Sequence, residues 1–381
     1  MDGLSGESGA EVGQNLSRGK VRVAVIGAGG IATLRHLPAY KLAEERGEAE
    51  LVAVCDPIES SARAAAERFA VPEVYSDYRE LLDASGAGAG IDAVSICTPN
   101  AYHEPITLAA LAAGKHVLCE KPLALDLAGA RRMREAARVA GVVTAVNFRY
   151  RFIPAAGFVR DLIARGELGD IYHVYGNYLQ GMLSDSETPI AWRLIRAQSG
   201  SGALGDLASH LIDLCRYWVG EISAVQGHLR TFVTERPLVG GGTGTVDVDD
   251  ATSILVRFAR GAEGVINASR CAIGHTNHQR VEIFGTKGAV VYEIERWDEG
   301  GDSLQICLGS AQARYNAFSR VKVPPEYLAG NPLRTMLDFV AAIRTGTKAS
   351  PDFEDGLRCQ EVLEAVERSA AGGQWQCLPM E

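Results

Sequence analysis

The side chains best suited to proton transfer fall on one predicted helix. In Asp206-Leu-Ala-Ser-His-Leu-Ile-Asp-Leu-Cys-Arg-Tyr-Trp218, the residues Asp206, His210 and Asp213 recur at i, i+4 and i+7. That spacing stacks them along one helical face. Leu207, Leu211, Leu214 and Trp218 form a neighbouring apolar stripe for packing. The glycines of Gly200-Ser-Gly-Ala-Leu-Gly205 lead into the helix. An acid and an imidazole on one face suit a helix that enters an active-site cleft. The same spacing also suits an ordinary solvated or capping face. A second charged feature is Glu120-Lys121-Pro122, which directly follows the apolar run Lys115-His-Val-Leu-Cys119. Pro122 restricts Lys121 to extended geometry and ends the strand. A lysine held there can stabilise a developing alkoxide, and a solvated loop lysine is the plain alternative.

The element that must position these groups is Val21-Arg-Val-Ala-Val-Ile-Gly-Ala-Gly-Gly-Ile-Ala-Thr33. Val21 to Ile26 is apolar apart from Arg22, which suits a buried parallel strand. Glycines at 27, 29 and 30 follow, and then a helix-compatible run from Ile31 to Leu42. Strand, tight turn and helix together point to dinucleotide binding, with a pyrophosphate on the helix N-terminus. Ala32 takes the place of the third glycine of the fingerprint. The next strand, Glu50–Cys55, ends in Asp56, which can hold ribose hydroxyls and repel a 2′-phosphate, or cap the next helix. Asp92–Cys97 runs into Thr98-Pro99-Asn100, with His103 close behind. Residues just past strand ends line the crevice of an open α/β sheet, so Thr98, Asn100 and His103 are cofactor candidates. Turn and cap chemistry is their alternative.

Helical patterns alternate with these strands at Ser60–Phe69, Glu104–Ala113 and Asp126–Ala140, and a last strand is predicted over 142–146. This predicts a doubly wound domain over residues 21–147. The pattern then changes. After the linker Asn147-Phe-Arg-Tyr-Arg and a helix over Phe158–Arg165, strands are predicted from Ile171 and over 224–234, 250–258, 264–269, 280–284 and 289–294. Gly240 to Gly244 reads as a loop between two of them. Two helices, near 334–344 and 353–370, close the chain. Residues 148–381 therefore read as an α+β domain whose open sheet is a mostly antiparallel meander.

The chain has 381 residues, enough for two domains. Its formal charge of −9 argues against nucleic acid or an anionic membrane as partner. No apolar run approaches the roughly 18–20 residues of a membrane span. Residues 1–20 are rich in glycine and serine and read as a disordered tail. The eight cysteines form no C-x-x-C pair, which fits free thiols in a reducing cytoplasm and gives no zinc motif. No metal is expected.

Taken in order, Gly27-Ala-Gly-Gly-Ile31, Cys97-Thr-Pro-Asn100 with His103, Glu120-Lys121-Pro122 and Gly205-Asp206-Leu-Ala-Ser-His210 resemble the Gfo/Idh/MocA oxidoreductases. The resemblance spans about residues 21–370. It implies a Rossmann domain followed by an α+β domain with an open sheet that packs on another subunit, as a dimer or tetramer. It implies a catalytic trio of Lys121, Asp206 and His210, and a cis bond between Lys121 and Pro122. It implies a cofactor set of Gly27, Gly29, Gly30, Ile31, Asp56, Thr98, Asn100, His103, Glu120, Lys121, Trp192 and Arg193. The substrate set is Lys121, Arg149, Asp206 and His210. The cofactor expected is NAD, with NADP as the alternative, and the substrate is a sugar, glycoside or cyclitol. Trp192-Arg193, Val248-Asp249-Asp250-Ala251, Ala268-Ser269-Arg270 and Gly285-Thr-Lys-Gly288 look most like sugar dehydrogenases of the levoglucosan or glucoside 3-dehydrogenase kind. Asn277 and His278 are candidates to reach the substrate from a loop, or exposed turn residues. An NAD-dependent glycosidase and a non-catalytic sugar sensor stay open on the same scaffold, the intact trio arguing against the sensor.

Overall fold

The computed structural model describes residues 19–83, 90–295, 302–309, 317–329, 331 and 333–380. The tail expected over 1–20, apart from its last two residues, lies outside them, and so does the glycine loop expected over 86–90, apart from Gly90.

The first layer is built as β1 (Val21–Ile26), α1 (Leu37–Glu45), β2 (Ala49–Cys55), α2 (Glu59–Phe69), β3 (Glu73–Tyr75), α3 (Tyr78–Leu82), β4 (Ala93–Ile96), α4 (His103–Ala112), β5 (His116–Cys119), α5 (Leu127–Ala140) and β6 (Thr144–Val146). The six strands pair in the order β3-β2-β1-β4-β5-β6, and every pairing is parallel. The chain order reverses between β1 and β4. A ligand crevice opens at this switch point, outside the strand C-termini. β1 is buried everywhere except Arg22, which reaches Glu50 at the sheet surface. Asp126 caps α5 by accepting from Gly129 N, and Gly141 closes it in the left-handed conformation.

The second layer follows with α6 (Pro154–Ala164), β7 (Ile171–Leu179), α7 (Arg196–Ser199), α8 (Ser209–Val219), β8 (Ile222–Arg230), β9 (Glu235–Pro237), β10 (Thr243–Thr245), β11 (Ala251–Phe258), β12 (Glu263–Ser269), β13 (His278–Gly285), β14 (Gly288–Ile294), β15 (Asp302–Leu308) and β16 (Ser319–Val321). It closes with α9 (Arg334–Thr345), α10 (Phe353–Gly372) and β17 (Gln376–Cys377). The large sheet runs β16-β15-β14-β13-β7-β12-β11-β8-β17.

This sheet differs from a plain meander. β7, first in sequence, sits at its centre, antiparallel to β13 and parallel to β12. Sequence alternation sets which face is buried but not which strands pair. The expected loop over 240–244 is the tip and return strand of a two-stranded hairpin, β9 with β10. In β11, Thr252, Ile254, Val256 and Phe258 point into the core while Ser253, Leu255 and Arg257 point out. The inner face carries α8 and α10. Gly227 of β8 permits this approach, because a Cβ there would stand 2.6 Å from Val366 Cγ1 of α10.

The C-terminal segment ties the layers together. Met336, Phe339, Val340 and Ile343 of α9 are buried in the core beneath β1 and α1, not in the second layer. The α10 helix is capped by Asp352 and Asp355 in a reciprocal box and lies against both α5 and β8. No described helix is long and apolar enough to cross a membrane.

Candidate active site

A cleft of about 1050 Å³ lies between the ends of the parallel strands and the start of α8. Its floor is the glycine turn. Gly27 has φ +98°, and a Cβ there would stand 2.7 Å from the carbonyl oxygen of Cys97. Only glycine satisfies both the dihedral and this approach to β4. Beyond it, Gly29 and Gly30 have no atom within 4 Å of where a Cβ would be, and both line the cleft with Ile31. The helix that begins here continues through a π-turn at Ala32–His36 into α1. Its first N–H groups have no partners within the helix and face an open cradle suited to a phosphate.

Asp56 both lines this cradle and builds it. One carboxylate oxygen accepts from Ala28 N at 2.8 Å and the other from Ile58 N at 2.9 Å. Asp77 and Arg79 line the same end of the cleft. Thr98 and Asn100 follow β4 as expected; Thr98 Oγ1 is buried without a hydrogen-bond partner, and Asn100 donates to Ser199 O of the second layer at 2.8 Å. An open glycine cradle, a carboxylate at the end of β2 and an orphaned hydroxyl on the wall all fit a dinucleotide. His103 corrects the sequence reading. It is fully buried off the cleft, with its ring nitrogens 2.9 and 3.1 Å from the carbonyl oxygens of Pro122 and Thr98. It braces the loop that carries Lys121 from behind. The Lys121–Pro122 bond is cis.

Glu120 anchors the end of β5. Its carboxylate accepts from Asn147 at 2.6 Å, from His36 Nε2 at 2.9 Å and from the backbone N of Lys121 at 3.2 Å. With His36 Nε2 donating, Nδ1 accepts from the Ser95 hydroxyl at 2.7 Å. Burial opposes the charge on Glu120, but His36, Asn147 and Lys121 outweigh it and hold the carboxyl down at about 2. His36 and Asn147 carry no motif signal in the sequence. They become visible only when the π-turn before α1 and the residue after β6 meet at the end of β5.

From this anchor Lys121 reaches across to the second layer. Its Nζ donates to Asp206 Oδ1 at 2.9 Å and to Asp206 O at 2.7 Å. The other oxygen of Asp206 lies 3.3 Å from fully buried Arg270, which also donates to Arg193 O at 3.1 Å. Burial would raise the Asp206 carboxyl, but Lys121, Arg270 and Arg193 overcome it and drive the group far below the usual range. Asp206 lies in a π-turn, Leu204–Ala208, that opens into α8. Asp249 fixes that turn by accepting from Gly202 N and Leu204 N at 2.7 and 2.8 Å. Arg270 and Asp249 stand in stretches that the sequence ties only to a family likeness, and chain geometry gives them their place.

His210 follows on the next turn and also lines the cleft. Tyr150 meets it edge-on with ring centres 4.6 Å apart, and Phe148 and Tyr178 complete the surround. Its Nδ1 is buried without a partner. Burial first, then the charges of Lys121 and Arg149, push its pKa well below 6.5 against the pull of Asp206. The imidazole is therefore neutral near pH 7. Asp213 leaves the expected stripe. It stands about one turn beyond His210 along α8 and pairs with buried Arg151 at 2.5 and 2.8 Å, away from the cleft.

Arg149, Trp192 and Arg193 line the cleft as the resemblance implies. The Arg193 guanidinium stacks 4.3 Å over Trp192, and Arg149 donates to Tyr150 Oη at 3.0 Å. Tyr178 and Gln180 were not anticipated. Both donate to Asn277 Oδ1, at 2.6 and 2.9 Å. Asn277 therefore braces the cleft wall from behind, and His278 pairs with Glu293 away from the cleft; neither lines the cleft.

A doubly wound nucleotide layer whose crevice is closed by a helix from an open mixed sheet is the architecture of two-domain NAD-binding oxidoreductases. Residues 21–148 match the oxidoreductase family with an NAD-binding Rossmann fold, and residues 158–291 match the GFO/IDH/MocA C-terminal domain. The chain belongs to the Gfo/Idh/MocA oxidoreductase family. It is 38% identical to levoglucosan dehydrogenase of Pseudarthrobacter phenanthrenivorans, over 83% of this chain and 86% of that one. It is 30% identical to inositol 2-dehydrogenase of Rhizobium meliloti, over 92% and 97%. The solved structure of levoglucosan dehydrogenase with NADH and L-sorbose matches with a TM-score of 0.87 at 36% identity, covering 94% of this chain and 99% of that one.

The buried, neutral His210 has a measurable consequence. Its folded pKa lies below the unfolded value of about 6.5, so only the unfolded chain binds the extra proton as pH drops. Its contribution to stability is whole above about pH 6.5 and is lost as pH falls toward the folded value. Ring NMR of histidine-labelled protein, assigned with His210→Gln, is expected to show a neutral ring from pH 8 to below 6. A midpoint at or above 6.5 would contradict the environment described.

Proposed function

We propose that this protein is an NAD-dependent dehydrogenase that transfers hydride between nicotinamide and a secondary hydroxyl of a sugar, glycoside or cyclitol. The observation that carries the reading is the Lys121–Asp206 pair at 2.9 Å beside a neutral His210, in the cleft whose floor is the glycine turn. NAD, when bound, supplies the hydride acceptor. Asp206 aims the ammonium of Lys121, which stabilises the substrate oxygen as its proton leaves. His210 accepts that proton. Arg149 offers a donor, and the Tyr178 hydroxyl oxygen and the Gln180 amide oxygen offer acceptors, for the other hydroxyls of a sugar ring. Asp56 and Asp77 favour NAD, because a 2′-phosphate would meet carboxylates, and Arg79 at that end lies 3.4 Å from Asp77. Arg63, on the helix that follows Asp56, is paired with Glu59.

The same proposal extends to assembly and compartment. Tyr175 and Leu255 stand half-exposed on the outer face of the large sheet. Such a face needs cover, and a homotetramer through it is the form we favour, with a dimer as the alternative. The described cysteines are free, which supports a cytoplasmic protein.

Two measurements test this reading. Absorbance of NADH is followed with NAD and a panel of levoglucosan, inositols, free sugars and glucosides. Net NADH on at least one compound is expected, with lower kcat/KM for NADP. Glycoside cleavage without net NADH indicates the glycosidase, and tight NADH binding without any turnover indicates a sensor. Light scattering at micromolar concentration is expected to give a tetramer mass; a monomer ends the assembly proposal.

A further inference from the structure

Outside the cleft, His275, His278 and Glu295 bring two imidazoles and a carboxylate together. One donor atom of each lies within 4.8 Å of the donor atoms of the other two. We propose that these residues bind one late first-row divalent cation, of which zinc is the representative.

The strongest support is the state of His278. Its Nε2 is 3.0 Å from Glu293 Oε1, and Glu293 is itself held by Arg280 at 2.9 Å. With Nε2–H donating to that carboxylate, Nδ1 carries the lone pair. That Nδ1 is buried and has no hydrogen-bond partner. A carboxylate on the far nitrogen of an imidazole fixes its tautomer and orientation, which is the outer arrangement of a metal-binding histidine. A purely structural pair of histidines gives no reason for the orphaned nitrogen.

The other two donors are already in contact. His275 Nδ1 lies 2.9 Å from Glu295 Oε2. Tetrahedral coordination at about 2.0–2.2 Å separates donor atoms by about 3.4 Å. The cation thus takes the place of the proton between His275 Nδ1 and Glu295, and the neutral ring carries that proton on Nε2 instead. The imidazole planes are 11° from parallel with centres 4.3 Å apart, so one ring must turn to converge on the ion. His275, the more exposed of the two, is the ring that turns. Two nitrogens and one oxygen suit zinc, nickel or copper and disfavour magnesium and calcium. Glu295 also accepts from Thr276 N at 2.7 Å and from Thr276 Oγ1 at 3.1 Å. The ion therefore ties the loop over 275–278 to the end of β14. The cluster contains no cysteine, so cysteine spacing gave no sign of it.

The test uses untagged, full-length protein freed of metal with a chelator and dialysed against zinc chloride at about 10 µM free ion, with bound zinc measured by atomic emission. About one zinc per chain is expected. His275→Ala, His278→Ala and Glu295→Gln are each expected to lose it, and Glu293→Gln to weaken it by roughly 10–100-fold. Cys377→Ser, which removes the exposed thiol, is expected to leave binding unchanged. Thermal melts without zinc identify any variant that fails to fold, and Glu295→Gln is the mildest of the set. No bound zinc in the parent protein, binding that survives the cluster variants, or binding lost in Cys377→Ser alone would each overturn the proposal.

Discussion

The Lys121–Asp206 contact constrains everything around it. It joins the end of a parallel strand to a π-turn in another layer, across 85 residues of sequence. Two charges removed from bulk water must meet in good geometry, or desolvation exceeds their attraction. The structure fixes both ends. On one side, Glu120 is locked by His36 and Asn147, so the backbone that launches Lys121 cannot drift. On the other, Asp249 holds the chain at Gly202 and Leu204, and Arg270 occupies the second oxygen of Asp206. Gly202 admits no side chain, because a Cβ would fall 1.7 Å from Asp249 O.

Holding that contact requires the layers themselves to be fixed. Asn100 donates to Ser199 O across the cleft. The α9 helix leaves the second layer and buries its apolar face under β1, and α10 spans α5 and β8. The two layers are therefore tied together by continuous chain, and the walls of the cleft can present one reaction site. Inside it, burial divides the ionisable groups by partner. Asp206 and Glu120 have cations or donors and stay charged, whereas for His210 burial and the charges of Lys121 and Arg149 outweigh the pull of Asp206, and it stays neutral. One environment thus supplies a fixed cation and a base side by side.

Much of this was legible in the sequence, for identifiable reasons. The β1 strand, its glycine turn and the helix after it are written in local pattern, and the apolar stripe of α8 is written in its period. Lys121 and Asp206 were singled out by motif order, Arg149 and Trp192 only by the wider resemblance, and all four line the cleft. The failures share a cause. Asp213 follows His210 by helical period, yet one turn further along α8 it meets Arg151 from another segment instead of the cleft. His103 follows a strand end, as a crevice residue would, yet its ring turns inward to two carbonyls. Arg270, His36, Asn147 and Tyr178 act through contacts between distant segments. The central place of β7 in the large sheet is likewise a pairing between segments more than 80 residues apart, which alternation cannot encode.

The central claim is that Lys121 and Asp206 act as one unit in the chemical step. The direct measurement is kcat on the best substrate, alongside NADH affinity, for Lys121→Met, Asp206→Asn and the double variant. The account predicts that each single change lowers kcat by roughly 10²–10⁴-fold and that the double variant is little worse than the poorer single. NADH affinity should largely survive in all three. Near-native kcat in either single variant, or losses that multiply fully in the double, would contradict it.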